Sequence, residues 1–174
     1  MLLKGRVWIF GDNIDTDLMM PHGAFEKSLR EQAQFVFKAN RPGWVDLVKK
    51  ADIIVAGRNF GTGSSRPAAL LFKTLGIEAI AAESVNGLFF KNCINFGLPA
   101  FNCPGVTESF KEGDVAEIDP QAGTIRNVAT GNQRPSISSA SHTSVARLAT
   151  GSSYSCGIPS RSACARPSRS SRRS

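Results

Sequence analysis

The sequence lacks the features of membrane, secreted and metal-binding proteins. Its apolar runs are too short to cross a bilayer, and residues 1–6 form no signal-peptide hydrophobic region. Its four cysteines include no CxxC pair, and we expect two of them, Cys93 and Cys103, to be buried small residues. A cytoplasmic protein without membrane contact and without a metal site of its own is therefore expected.

Acidic residues are absent from the last 43 residues, 132–174, which hold seven Arg and 14 Ser. Residues 1–131 carry 14 basic and 14 acidic side chains, so the whole net charge of +7 lies in this tail. Such a segment buries too little apolar surface to offset its ordering entropy. We predict one domain over residues 1–131 and a Ser/Arg-rich, disordered tail over residues 132–174.

Two origins of the tail are compatible with its composition. It is either a natural basic extension that binds acidic surfaces, or the product of a reading-frame shift near residue 131. The neutral charge of the domain itself argues against nucleic acid as a partner, although binding through the basic tail remains an alternative.

The stretch 57–66, with the letters GRNFGTGSSR, is the most informative part of the chain. An apolar run, residues 53–56, precedes it, and a helix-compatible run, residues 67–75, follows it. Glycines permit close approach of a ligand, and amides at a helix start attract anions. Arg66 adds a guanidinium that fits a carboxylate or phosphate. The pattern predicts a site for an anionic small molecule with a hydroxyl group beside it.

Other interpretations of this turn are open. It is no Walker loop, because no Gly-Lys-Ser/Thr closes it, and it is no GxGxxG fingerprint, because Arg66 stands at the third glycine position. An ordinary glycine-rich strand-to-helix turn with a serine cap is one alternative. A Rossmann-like module that holds a phosphate or nucleotide is another. The Ser-Ser-Arg triplet at the presumed helix start favours a functional site.

The rest of the domain alternates strands and helices. β-Branched and aromatic runs predict strands, and Gly and Pro mark their ends. Residues 12–21 are expected to form a turn-rich loop, with Asp12 capping a turn, and residues 25–38 a helix or a mobile loop. Strands are predicted near residues 5–11, 52–57, 77–82 and 98–103, and helices near 44–50, 67–75 and 85–96. Residues 110–119 are expected to form a turn into a strand, with its hairpin partner beginning at 123–125.

Three motifs in order resemble one family. Residues 57–66 resemble the signature of the aconitase swivelling domain, which as a separate short chain is the small subunit of 3-isopropylmalate dehydratase. Residues 15–17, Asp-Thr-Asp, followed by Pro21, resemble a turn of that family. Residues 77–82 and then residues 86–99, NGLFFKNCINFGLP, resemble its strand, its following helix and the N-x-G-L-P exit from that helix. The resemblance covers about residues 5–130.

The resemblance implies a fold and an activity. The fold is α/β, with a mixed sheet in a three-layer β/β/α arrangement. The activity is that of a hydro-lyase, which isomerises 2-isopropylmalate and 3-isopropylmalate by dehydration and rehydration in leucine biosynthesis. The [4Fe-4S] cluster of such enzymes, which takes the leaving hydroxyl, is expected on a large subunit in a heterodimer or heterotetramer.

The resemblance also implies roles for single residues. Ser64 would act as the base, in its alkoxide form, with backbone amides of residues 61–65 stabilising the charge. Ser65 and Arg66 would bind a carboxylate of the substrate. Asp17 would orient other side chains or take part in proton transfer. Arg30 would contact a carboxylate or the variable group of the substrate, with a solvated charge on a helix as the alternative.

The sequence departs from the family at three places. Pro67 stands where many relatives have an acidic residue, and Thr62 stands where Cys or Glu is frequent. The apolar helix that usually ends such chains is missing. A closely related substituted malate is therefore an alternative substrate.

Overall fold

The computed structural model describes residues 2–20, 22–24, 26–63 and 66–136. Within these ranges the strands form one seven-stranded mixed sheet. In chain order the elements are β1 (Leu3–Phe10), α1 (Thr16–Met19), α2 (Leu29–Ala33), α3 (Trp44–Leu47), β2 (Ile53–Ala56), α4 (Ala68–Leu75), β3 (Ala79–Ala82), α5 (Gly87–Phe96), β4 (Ala100–Asn102), α6 (Val106–Ser109), β5 (Val115–Asp119), β6 (Thr124–Asn127) and β7 (Gln133–Pro135).

Strand β1 belongs to both halves of the sheet. Its second half pairs in parallel with β2, with Val7 opposite Ile53. Its first half pairs antiparallel with β5, with Leu3 opposite Ile118. The order β4-β3-β2-β1-β5-β6-β7 therefore divides into a parallel half, β1–β4, and an antiparallel half built on β1 and β5–β7.

Alternating side chains of the parallel half point to two separate cores. On one face, Ile54 and Ile80 pack with the buried sides of α4 and α5. On the other face, Val55 shares a core with Ile118 of β5 and Ile125 of β6, so the curled sheet covers itself. The layers are thus β/β/α, as the resemblance implies, and all the predicted strands and helices are present.

Three of the described elements, α1, α6 and β7, lie outside the sequence predictions. Helix α1 forms within the expected loop because Asp15 caps it, accepting a hydrogen bond from the Leu18 amide at 2.7 Å, and because Met19 is buried. Strand β7 pairs with β6 beyond the predicted boundary at residue 131, and its Arg134 Nε donates to Ser109 Oγ at 2.9 Å.

The prediction of disorder from residue 132 is therefore wrong for β7. Residues 137–174 of the tail lie outside the described residues, so their assignment stays a prediction. Among the helices that the structure describes, none is both long enough and apolar enough to cross a membrane.

Asp52, at the entry to β2, joins β1 to the segment before β2. Its buried carboxylate accepts hydrogen bonds from Trp8 Nε1 at 2.7 Å, Arg6 Nη2 at 2.8 Å and the Lys49 amide at 2.9 Å. Burial by itself would raise the pKa of this carboxyl, but the three hydrogen bonds outweigh burial and hold the pKa below its ordinary value.

Replacing Asp52 should destabilise the fold strongly. Asp52→Ala leaves the buried Trp8 N–H without its acceptor and leaves Arg6 Nη2 with only the Leu47 carbonyl, so we expect a loss of about 3 kcal/mol in the free energy of unfolding. Urea unfolding at neutral pH measures it. Asp46→Ala, at an exposed position on α3, is the control and should cost less than about 1 kcal/mol.

Ionisation of the Asp52 carboxylate makes this loss in the free energy of unfolding depend on pH. Because its pKa is lowered on folding, the stabilisation is fully present above about pH 4 and is lost as the pH falls through the folded-state pKa. The stability difference between the parent and Asp52→Asn should therefore shrink in acid. A difference that grew in acid would contradict the assignment.

Candidate functional site

Three loops meet at one edge of the parallel half of the sheet. They follow the carboxyl ends of β1, β2 and β3, which lie side by side. The carboxyl ends of parallel strands are the usual place for ligand sites in open α/β sheets. The loop after β2 is the predicted signature, residues 57–66, and it lies between the other two.

The loop after β1 pairs with the signature along its length. The Asn13 amide donates to the Arg58 carbonyl at 2.7 Å, and the Thr16 amide donates to the Thr62 carbonyl at 2.8 Å. A parallel bridge joins Asp15 and Thr62. The Asp-Thr-Asp turn and the signature, which are far apart in the chain, are thus one unit in the fold.

The loop after β3 holds the other side of the signature through Ser84. The Ser84 hydroxyl accepts from the Asn59 amide at 2.9 Å, and the Ser84 carbonyl accepts from the Phe60 amide at 3.0 Å. Sequence reasoning missed Ser84. Its position directly after a predicted parallel strand is the signal that could have found it.

Glu83, just before Ser84, anchors this third loop to helix α6. Its carboxylate accepts from the Gly105 amide at 2.6 Å and from the Thr107 amide and hydroxyl at 3.0 and 2.8 Å. Burial would raise the pKa of Glu83, but these hydrogen bonds outweigh burial and lower it. Glu83 is therefore engaged in capping a helix and is not poised as an acid.

Two glycines of the signature lie where a side chain would not fit. A Cβ atom on Gly57 would lie 1.9 Å from Asp12 Oδ1. A Cβ atom on Gly61 would lie 2.3 Å from the Phe89 ring, and Gly61 has a φ of +83°. Phe60, between them, is fully buried against Phe89, with ring centroids 5.7 Å apart. Packing against α5 therefore fixes the middle of the signature.

The amides at the start of the signature do not form an anion cradle. All five amides of residues 57–61 donate to acceptors of the protein, and Gly61 donates to the Ile14 carbonyl at 2.7 Å. The prediction that the Gly61 amide stabilises an anion is therefore wrong, because the loop after β1 takes its hydrogen bond. Helix α4 begins at Ala68, with Pro67 in the N-cap position instead of the first helical position expected for it.

Arg66 is the buried cation of the site. Its side chain is 6% exposed, and Nη2 lies 2.7 Å from the carboxylate of Asp17, which is 58% exposed. Nη1 donates to the Met20 carbonyl, and the Arg66 carbonyl accepts from Asn92 Nδ2 at 3.1 Å. The structure thus brings together two of the predicted site residues, Asp17 and Arg66.

Of the other predicted site residues, only Arg30 lies within the described ranges. Arg30 is exposed on α2, which packs against α4, the helix that begins two residues after Arg66. Ser64 and Ser65 lie outside the described residues, so their roles stay predictions.

The described cysteines do not fit an iron–sulfur cluster. Cys93 and Cys103 are free and buried, as predicted, and burial raises the pKa of both thiols to about 12, whereas cluster ligands are thiolates. They also belong to different cores. In the described ranges, no group of three or more His, Cys, Asp or Glu side chains could hold a metal ion.

Comparisons with known proteins agree with this geometry. The family model of the aconitase C-terminal domain matches residues 23–104. The isopropylmalate/citramalate isomerase small subunit of Methanocaldococcus jannaschii is 45% identical over 132 residues, which cover 75% of this chain and 79% of that protein. The 3-isopropylmalate dehydratase small subunit of Thermodesulfovibrio yellowstonii is 44% identical, with 76% of this chain and 80% of that protein covered.

The chain belongs to the 3-isopropylmalate dehydratase small-subunit family. A crystal structure of 3-isopropylmalate dehydratase from Methanocaldococcus jannaschii matches with a TM-score of 0.78 and 33% identity, covering 87% of this chain and 90% of that chain. Family and fold therefore confirm the resemblance seen in the three motifs, and they favour it over a nucleotide-binding or nucleic-acid-binding module.

The family members nearby in sequence carry names for different substrates. The methanogen homoaconitase small subunit of Methanothermobacter thermautotrophicus is 44% identical over 135 residues, covering 76% of this chain and 77% of that protein. Identity at this level is the same as for the isopropylmalate proteins. Sequence identity therefore does not distinguish among the substrates named for these relatives.

The close packing of Gly61 gives a test of the site's construction. Gly61→Ala should lower the free energy of unfolding by about 3 kcal/mol, because the new methyl group meets the Phe89 ring and the backbone is left-handed. Gly113→Ala is the matched control: its φ of +89° is similar, but no described atom lies within 4 Å of the new Cβ, so about 1–2 kcal/mol is expected. Equal losses in urea unfolding would mean that Phe89 moves aside freely.

Proposed function

We propose that this chain is the small subunit of a two-chain hydro-lyase. With a large subunit it isomerises 2-isopropylmalate and 3-isopropylmalate by removing and re-adding water, or acts in the same way on a closely related substituted malate. The observation that carries the proposal is the buried Arg66 guanidinium, which already holds a carboxylate, that of Asp17, 2.7 Å away beside the signature loop.

Arg66 is suited to bind a carboxylate of the substrate. A buried guanidinium attracts a carboxylate more strongly than an exposed one, and its planar fork fits both oxygens. The Met20 carbonyl and the Asp17 carboxylate fix the direction of its Nη atoms. In the proposal, Asp17 orients Arg66, and its exposed position lets it adjust when the substrate arrives.

Ser64 is the proposed base. It follows Gly63 in the chain and stands two residues before Arg66, so it is close in sequence to the proposed carboxylate-binding residue. The proton that it removes lies beside a carboxylate, and a nearby guanidinium lowers the energy of the charge that develops there. Ser65 is proposed to bind the same carboxylate. Arg30, on the exposed side of α2, is proposed to contact the substituent that distinguishes one malate from another.

The iron–sulfur cluster belongs to the large subunit in this proposal. The buried, protonated cysteines of the described part of this chain do not suit it. A dehydratase of this kind would therefore be inactive as the single chain and active as the complex. We also propose a cytoplasmic location, in keeping with a biosynthetic enzyme.

The first test separates the roles of the two adjacent serines. Ser64→Ala in the complex with a large subunit should lower kcat by at least about 100-fold with little change in KM, because the base acts only as the transition state forms. Ser65→Ala should mainly raise KM. Steady-state kinetics with measured cluster content decide it, and a near-parental kcat for Ser64→Ala at full cluster loading would remove Ser64 from the role.

The second test concerns the cation. Arg66→Lys should raise KM at least about 10-fold, because an ammonium group does not reproduce the two-pronged grip on a carboxylate. Arg58→Lys, on an exposed side chain of the same loop, is the control and should leave KM within about twofold. Equal KM values for the two variants would contradict the assignment of Arg66.

A further inference from the structure

We infer that Asp12 is a positioning residue for the proposed reaction, a role that rests on the proposed function. Its carboxylate fixes the point at which the chain leaves β2 and enters the signature loop. Asp12 itself lies at the start of the loop after β1 and is exposed to solvent. It thus acts on the catalytic turn through the backbone and not through the substrate.

Both backbone polar groups of Arg58 are hydrogen-bonded to the loop after β1. Its amide donates to Asp12 Oδ1 at 2.7 Å, and its carbonyl accepts from the Asn13 amide at 2.7 Å. A hydrogen bond from an amide to a carboxylate is stronger than one between neutral groups. Two successive residues of one loop therefore fix the first residue of the signature after Gly57.

Gly57 shows how closely Asp12 is fitted. The carboxylate oxygen of Asp12 occupies the space that a side chain at residue 57 would need, only 1.9 Å from an ideal Cβ. The Gly57 amide donates to the carbonyls of Phe10 and Gly11, at 3.1 and 3.2 Å. The exit from β2 and the exit from β1 are thus locked to each other directly before the catalytic turn.

The residues that follow, Asn13 and Asn59, depend on these hydrogen bonds between the two loops. Asn13 and Asn59 both have a φ of +57°, a left-handed conformation that is uncommon for residues other than glycine, and Asn59 Nδ2 donates to Asn13 Oδ1 at 2.9 Å. Such backbone persists when neighbouring contacts hold it. Without the Asp12 carboxylate, the entry to the loop would relax, and the later part of the signature, which leads to Arg66, would shift.

Asp12 is a poor candidate for a residue that holds the whole fold. It belongs to neither apolar core, and its hydrogen bond lies at the surface. A small shift of a reacting group costs up to about 100-fold in rate, whereas one exposed hydrogen bond contributes little to global stability. The inference therefore predicts a large change in turnover with a small change in stability.

The experiment compares Asp12 with Asp119 in the complex with a large subunit. Asp119 also accepts backbone amides through its carboxylate, from Gln121 at 2.9 Å and Ala122 at 3.1 Å, but it lies in the β5–β6 hairpin. Asp12→Ala should lower kcat about 10- to 100-fold, and Asp12→Asn, which keeps an oxygen acceptor, should recover most of it. Asp119→Ala should leave kcat within about twofold of the parent value, although it should change Tm about as much as Asp12→Ala does.

Hydrogen exchange supplies a readout other than activity. In Asp12→Ala the amides of residues 58–61 should exchange faster, while those of β2 stay slow. A parental kcat in Asp12→Ala, an Asp12→Asn variant as impaired as Asp12→Ala, or faster exchange throughout β2 would each overturn the inference. If the parent complex turns over neither isopropylmalate nor a related substituted malate, the proposed function fails, and exchange at residues 58–61 still decides whether Asp12 holds the loop.

Discussion

Hydrogen bonds between the loop after β1 and the loop after β2 are the interaction on which the site depends. They run from the Gly57 amide, which donates to the end of β1, to the Thr62 carbonyl, which accepts from Thr16. Because Thr16 is the first residue of α1, the same pairing sets the position of the helix that carries Asp17. The contact between Asp17 and Arg66 is thus a consequence of backbone pairing that begins at the sheet edge.

Local rules predicted most of the parallel half. Alternation of apolar runs with Gly, Pro and Asn located β2, β3, α4 and α5, because these elements are buried on regular faces and their ends need particular backbone angles. The glycines of the signature were expected to leave room for a ligand, whereas the structure shows that Gly57 and Gly61 leave room for Asp12 and Phe89 of the protein itself. Asp12 was expected to cap a turn, and it does accept an amide, although that amide belongs to a residue 46 positions away.

What the sequence could not show is which distant groups meet. The amides of the signature were expected to face an anion, but only the fold reveals that the first five have acceptors in the two flanking loops. The same holds for the ion pair of Asp17 with Arg66. Strand β7 escaped prediction because its sequence is polar and short, and because it owes its conformation to pairing with β6 and to the contact between Arg134 and Ser109.

The shared strand β1 has a consequence for how the chain folds during synthesis. Residues 3–6 are synthesised before the rest of the sheet, yet their antiparallel partner ends at Asp119, more than a hundred residues later. Loop closure over such a separation is slow and raises the contact order of the domain. Until β5 has been translated, the first half of β1 is an unpaired strand edge. Exposed strand edges bind chaperones and promote aggregation. The parallel half can assemble early, but the second core closes only when the last third of the domain has been made.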